Sequence, residues 1–148
     1  MPVDMTVRLQ GLAVRYIHHG TLLPSSRLSA SKMAPITHIV LFKYSSSISW
    51  TELQKHFREF TALRTSCVKP NGKPYMISMR MGKNHSWEPH SKGITHAFIL
   101  EFANADDRDY YLLKDPVHHA FSAKAAPLIE DSVVVGKWMR HGLDRLLC

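Results

Sequence analysis

A histidine two residues after a proline, downstream of paired tyrosines, is the first place in this sequence to look for chemistry. Tyr110-Tyr111 is followed by Asp115-Pro116-Val117-His118-His119-Ala120-Phe121. Imidazole has an unperturbed pKa of about 6.5, so His118 could take a proton from a carbon beside a carbonyl near neutral pH. A tyrosine hydroxyl held close by could orient or polarise the carbonyl oxygen. The same residues also suit a structural role. Proline is favoured in a first helical turn, and a histidine there can hydrogen-bond the backbone.

Other imidazoles are spread along the chain. His38 and His96 each lie inside an apolar run. If those runs form neighbouring strands, the two rings could face one cleft and take a ligand or a metal. The alternative is a satisfied polar pair within a largely apolar sheet. His85, His90 and the His118-His119 doublet show no zinc-protease spacing, so no metal is expected. Cys67 and Cys148 are too few for a disulfide framework and lack metal-ligand spacing, which suggests reduced thiols in an intracellular compartment.

These side chains need a scaffold, and the composition allows one. A length of 148 residues with 45% hydrophobic and 21% charged content fits a single globular domain. No run approaches the roughly 20 apolar residues of a membrane span. The formal charge is +7, with Arg8, Arg15, Arg27 and Lys32 set against Asp4 alone in the first 33 residues. Elsewhere Lys and Arg are interleaved with Asp and Glu, and no recognition helix or RNA-binding signature appears. Neither nucleic acid nor a membrane is an expected partner.

Residues 1–33 are Arg- and Ser-bearing and nearly free of acid. They read as an N-terminal extension, either disordered or a mitochondrial presequence, or as lead-in to a working start at Met33. Residues 139–148 read as a tail, in which Leu143, Leu146 and Leu147 have helical spacing. The folded domain is expected over residues 34–138.

Within that span the elements follow in order. Residues 36–44, rich in β-branched and aromatic side chains, suit a first strand. Ser49 and Glu52 form a capping-box pair, and Trp50, Leu53, Phe57, Phe60 and Leu63 mark one face of a helix. A turn around Asn71-Gly72 leads into a second strand, where alternation sets Tyr75, Ile77, Met79 and Met81 on one side. Residues 95–102 make a third strand, with His96, Phe98, Leu100 and Phe102 on a common face. Asn104 or Asp106 caps a further helix, Asp115-Pro116 interrupts it, and a second helical piece runs from Val117 to about Ile129. Val133-Val134-Val135 closes as a fourth strand.

The order β-α-β-β-α-β is the ferredoxin-like arrangement, an α+β fold with helices on one face of the sheet. The first strand is apolar on both faces, with Ile39 and Leu41 opposite Val40 and Phe42. The uncovered face needs a partner, so a homodimer of dimeric α/β-barrel type is expected.

Three stretches together are similar to the stress-responsive dimeric α/β-barrel family. They are Ile36-Thr37-His38-Ile39-Val40-Leu41-Phe42-Lys43, the segment from Ser91 to Phe98, and the Tyr…Pro-x-His-x-x-Phe block ending at Phe121. The resemblance spans about 100 residues. It implies a homodimer with a cleft between sheet and helices. The family includes plant stress-associated proteins without established chemistry and the polyketide cyclase olivetolic acid cyclase, an enzyme that works without a metal or cofactor. By that resemblance His118 and Tyr111 would be catalytic, and His38, His96, Phe42 and Phe98 would line the site for a small apolar carbonyl ligand. The spacing from Tyr111 to Pro116 is one residue longer than the family pattern, which would rotate a helical side chain by about 100°. The leading expectation is a cytoplasmic (alternatively mitochondrial) stress-response homodimer for which catalysis is not required. The alternative is a cofactor-free cyclase or lyase using His118 with a tyrosine. A heme-handling monooxygenase, with His118 on iron, ranks third.

Overall fold

A computed structural model describes residues 5–9, 12–16 and 34–138. Two short strands, β1 (Met5–Leu9) and β2 (Leu12–Tyr16), pair antiparallel as a separate ribbon. The main domain then runs β3 (Ile36–Tyr44), α1 (Trp50–Ser66), β4 (Met76–Lys83), β5 (His96–Phe102), α2 (Ala105–Leu113), α3 (Pro116–Ala125) and β6 (Ile129–Trp138). A single 3₁₀ turn, Ala126–Leu128, joins α3 to β6. The helical reading of the tail at 143–147 falls outside the described residues, as does most of the 1–33 extension.

The four main strands are antiparallel in the order β4-β5-β3-β6. The first and third strands of the βαββαβ unit are therefore central, as the order of elements predicts. On the helix side Phe98, Leu100 and Phe102 of β5 are fully buried, and Phe60 of α1 stacks on Phe98 with ring centroids 4.1 Å apart. Burying each large apolar side chain contributes about 1.5–3 kcal/mol, so this row anchors α1 to the sheet. The opposite face alternates in step. Ile39 and Ile99 are register partners there, Leu41 pairs with Val133 and Ile39 with Val135.

Local signals in the chain set where the helices start. Ser49 Oγ accepts from the Glu52 amide at 3.2 Å, while Glu52 Oε2 accepts from the Ser49 amide at 3.1 Å, completing the box. Asn104, rather than Asp106, caps α2 by accepting from the Asp107 amide. Pro116 occupies the first turn of α3, behind an Asp115 cap.

The second strand departs from simple alternation. Pairing shifts between Met76 and Ser78, so Tyr75 and Met76 are both buried while Ile77 is 49% exposed. One extra residue on β4 bulges out and moves Ile77 off the expected face. Met81 keeps its register opposite Phe98 but is 46% exposed, because β4 is the outermost strand. The fourth strand is longer than the Val133–Val135 run suggested. It extends over ten residues because all nine residues of β3 find partners on it.

Candidate functional site

The second half of the domain brings three expected side chains together. His38, on β3, lies in register with Leu100 and Gly136, and is 2% exposed. Tyr111 comes from α2 and His118 from the first turn of α3. The Tyr111 and His118 rings stack with centroids 3.8 Å apart and planes inclined by 28°. His38 meets Tyr111 edge-on at 6.5 Å, and Phe102 closes the group at 5.3 Å from Tyr111.

The longer spacing before Pro116 does not turn Tyr111 outward. Lys114 N and Asp115 N both donate to the Tyr110 carbonyl at 2.9 Å, so the additional residue is taken up where α2 ends. Asp115 then begins α3, its Oδ1 accepting from Val117 N at 2.8 Å and His118 N at 3.2 Å. Tyr111 stays 2% exposed against the sheet.

The hydrogen bonding of this group is incomplete. His118 Nε2 lies 3.1 Å from Ser122 Oγ, one turn further along α3. Neither His118 Nδ1 nor His38 Nδ1 has a well-formed hydrogen bond, although both are buried. Buried polar atoms are normally satisfied, so two orphans in one place are unusual. Burial is also the main reason both imidazoles resist protonation. The His38 pKa is lowered to about 3, with His118 and Arg108 adding repulsion. That of His118 is lowered to about 4, the Tyr111 backbone and Asp115 opposing the burial and His119 reinforcing it. Both rings are therefore neutral at physiological pH, each with one N–H to donate and one nitrogen to accept.

His96, Phe42 and Phe98 belong to the other end of the same sheet face. His96 is the register partner of Phe42, four residues along β3 from His38, or about 13 Å at the rise of a strand. The two strand histidines thus share a face without sharing a cleft. Phe98 is 0% exposed in the core, and Phe42 packs on it at 5.3 Å. His96 sits against Phe57 and Tyr44, with centroids at 4.8 and 5.3 Å, and its Nδ1 lies 3.1 Å from Thr95 Oγ1.

That end also holds a residue the sequence reading passed over. His56 of α1 is 4% exposed, stacks on Phe121 and hydrogen-bonds Tyr44 Oη at 2.8 Å through Nε2. Burial lowers its pKa to about 4, with Glu59 opposing and His96 adding to the effect. Its position between Leu53 and Phe60, on the apolar stripe, was the available signal. A third buried group joins two helix ends: Tyr75 Oη donates to Asp115 Oδ2 at 2.5 Å beside Cys67. Burial pushes the Cys67 thiol up to about 12, Asp115 contributing, so it is neither a thiolate nor a nucleophile.

Among the described residues, no group of three or more His, Cys, Asp or Glu side chains is placed to hold a metal ion. No helix among them is long and apolar enough to cross a membrane. What the His38–Tyr111–His118 group offers is a water-poor pair of neutral imidazoles beside a phenol. Such a group can make hydrogen bonds and move protons.

Comparison with known proteins gives this geometry a setting. The sequence model of the stress responsive A/B barrel domain matches residues 36–138. No protein of curated function matches closely enough to count as a relative. Among solved structures, the hydroxynitrile lyase from Passiflora edulis is similar with a TM-score of 0.63 and 21% identity, covering 74% of this chain and 97% of the lyase. A dimeric ferredoxin-like protein of unknown function from Thermobifida fusca gives a TM-score of 0.58 at 19% identity, over 82% of this chain and 100% of its own. SnoaB, a cofactor-independent oxygenase from Streptomyces nogalater, gives 0.54 at 14% identity, over 75% and 98%. At such identities the likeness is one of fold.

Proposed function

This chain belongs to the stress-responsive A/B barrel domain family, and from that membership we propose a cytoplasmic, stress-associated homodimer that joins through the outer face of its sheet, a role that requires no catalysis. The observation that carries the reading is that outer face. Ile39, Leu41 and Ile99 stand on it beside Val133 and Val135, which are 44% and 47% exposed. A contiguous apolar surface of this kind marks an interaction site, and pairing two copies about a two-fold axis covers it on both. The dimeric description of the Thermobifida fusca protein supports the same arrangement here. On the helix side, the Tyr111 ring covers one face of His118, which suits packing better than turnover. Sedimentation velocity of the full chain at micromolar concentration tests the reading. A dimer is expected, and a stable monomer would overturn it.

One observation favours a second reading. The orphaned Nδ1 of His38, buried beside His118 and Tyr111, suits a bound small molecule better than an inert core. In this reading the protein is a cofactor-free lyase or cyclase acting on an apolar carbonyl compound, with His118 as proton acceptor and Tyr111 orienting the oxygen. The fold shared with the Passiflora edulis lyase supports testing hydroxynitriles as well as linear poly-β-ketones. Turnover that His118→Ala abolishes, in a protein that remains dimeric, is the expected result. Turnover unchanged in that variant would remove His118 from the mechanism.

A further inference from the structure

We infer that Arg80 and Glu101 form a self-complementary charge pair in the dimer: Glu101 of each copy meets the partner's Arg80 across the two-fold axis, and this exchange decides which chains can join. The inference rests on the homodimer reading above and adds to it the residues that set its register and its choice of partner.

Glu101 is the anomaly on the outer face of the sheet. It lies on β5, one of the two central strands, and alternation puts it on the same side as Ile99 and Ala97, away from the buried Leu100 and Phe102. Its register partners are Thr37 on β3 and Ser78 on β4. The side chain is 37% exposed in the single chain, and a second copy seated on this face would cover it. A carboxylate taken out of water without a counter-charge opposes association, so the covered face needs a cation beside Glu101.

The cation at hand is loosely held. Arg80 stands on β4 as the register partner of Ile99, two residues beyond Ser78, which makes it the diagonal neighbour of Glu101 on the same face. Its Nη2 is 3.8 Å from Glu101 Oε1, beyond hydrogen-bond distance, and 70% of its side chain is in solvent. Ser78 Oγ donates to the other carboxylate oxygen, Oε2, and so fixes the glutamate while the arginine extends into water. Lys43, further along β3 on this side, is committed to Glu130 at 3.0 Å.

Symmetry makes that corner complementary to itself. In an isologous interface residue i meets j while j meets i, so a chain that carries both charges side by side can satisfy a second copy of itself. The register allows a two-fold axis that runs diagonally over the sheet, from the Glu101–Arg80 corner between Ile39 and Leu41 toward Val133. Such an axis lays each corner over its mate and centres the apolar residues on one another. The four charges then alternate, and each Glu101 gains an arginine from the facing sheet. Packed sheets stand about 10 Å apart, a gap that a glutamate and an arginine reaching from opposite sides close.

The test mixes full chains of opposite charge, reading their masses by native mass spectrometry and their association by sedimentation equilibrium. Arg80→Glu alone and Glu101→Arg alone should each self-associate at least about tenfold more weakly than the unaltered chain, since each sets like charges face to face. Mixed in equal amounts they should form a dimer containing one chain of each, and a chain carrying both substitutions should dimerise with itself again. Circular dichroism checks the fold, and Arg80→Gln and Glu101→Gln, each expected to weaken the dimer less, serve if a reversal does not fold. Single reversals that dimerise as tightly as the unaltered chain would overturn the charge pair and leave the dimer. So would a mixture that stays monomeric, because the pair would then act inside one chain. Preference of Glu101→Arg for a Lys137→Glu chain would move the contact to β6 and overturn it as well. An unaltered chain that is monomeric would remove the homodimer reading, and this inference with it.

Discussion

Tyr111 stacks on His118, ring on ring, with centroids 3.8 Å apart and planes inclined by 28°. The contact joins α2 to α3 across the Lys114–Asp115 turn, so its first consequence is for stability. Tyr111→Phe keeps the stacked ring and should change unfolding free energy by less than about 1.5 kcal/mol. Tyr111→Ala removes it and should cost about 3–5 kcal/mol. Urea unfolding of the two variants decides between a stacking role and one that depends on the hydroxyl.

Acid should destabilise the fold well before its carboxylates titrate. His38, His56 and His118 have folded pKa values of about 3, 4 and 4, against 6.5 unfolded. Groups depressed in this way bind more protons when unfolded, so their stabilisation is complete above pH 6.5 and is lost as pH falls toward 4 and 3. Each histidine should remove up to about 2 kcal/mol between pH 7.5 and pH 5. The urea midpoint measured across that window should fall steeply, and His56→Phe should flatten the slope. A midpoint independent of pH would contradict the buried, neutral state of the three rings.

Placing a charge on the outer face should break the dimer and spare the fold. Val133 is 44% exposed in the single chain, so Val133→Glu has little to disturb within it. Facing a second copy, the same carboxylate would be buried without a partner, a loss of several kcal/mol. Sedimentation should show monomers with unchanged circular dichroism. A variant that remains dimeric would place the interface elsewhere.

Cys67 should resist alkylation in the native protein and react once it unfolds. It is fully buried beside Tyr75 and Asp115, with its thiol held up to about 12. Iodoacetamide treatment at pH 8, read at the Cys67 peptide by mass spectrometry, should give modification only in denaturant. Labelling under native conditions would show that the junction between α1 and α3 opens.

The scaffold was legible wherever a local rule governs it. The Ser49–Glu52 box, the apolar stripe of α1 and the order of strands follow from spacing alone. The bulge at Ile77 was not, because alternation within β4 cannot reveal an extra residue that only its pairing with β5 exposes. His56 was hidden by its neighbours, since a histidine within a run of apolar positions looks like an interruption rather than a buried member. For the site, spacing brought His118 and Tyr111 close in the chain, but their stacking is set by how the turn between two helices absorbs one residue. The separation of His38 from His96 depends on register, which pairs His96 with Phe42.

The irregularity between Met76 and Ser78 also governs how copies of this protein meet. A straight, flat outermost strand is a template onto which another chain can zip, and repeated zipping leads to fibrils. Here that strand is kinked near its start, and Arg80 and Lys83 follow further along. Self-assembly through the β4 rim is discouraged, which favours the broad apolar side of the sheet over that edge as the route to a closed pair.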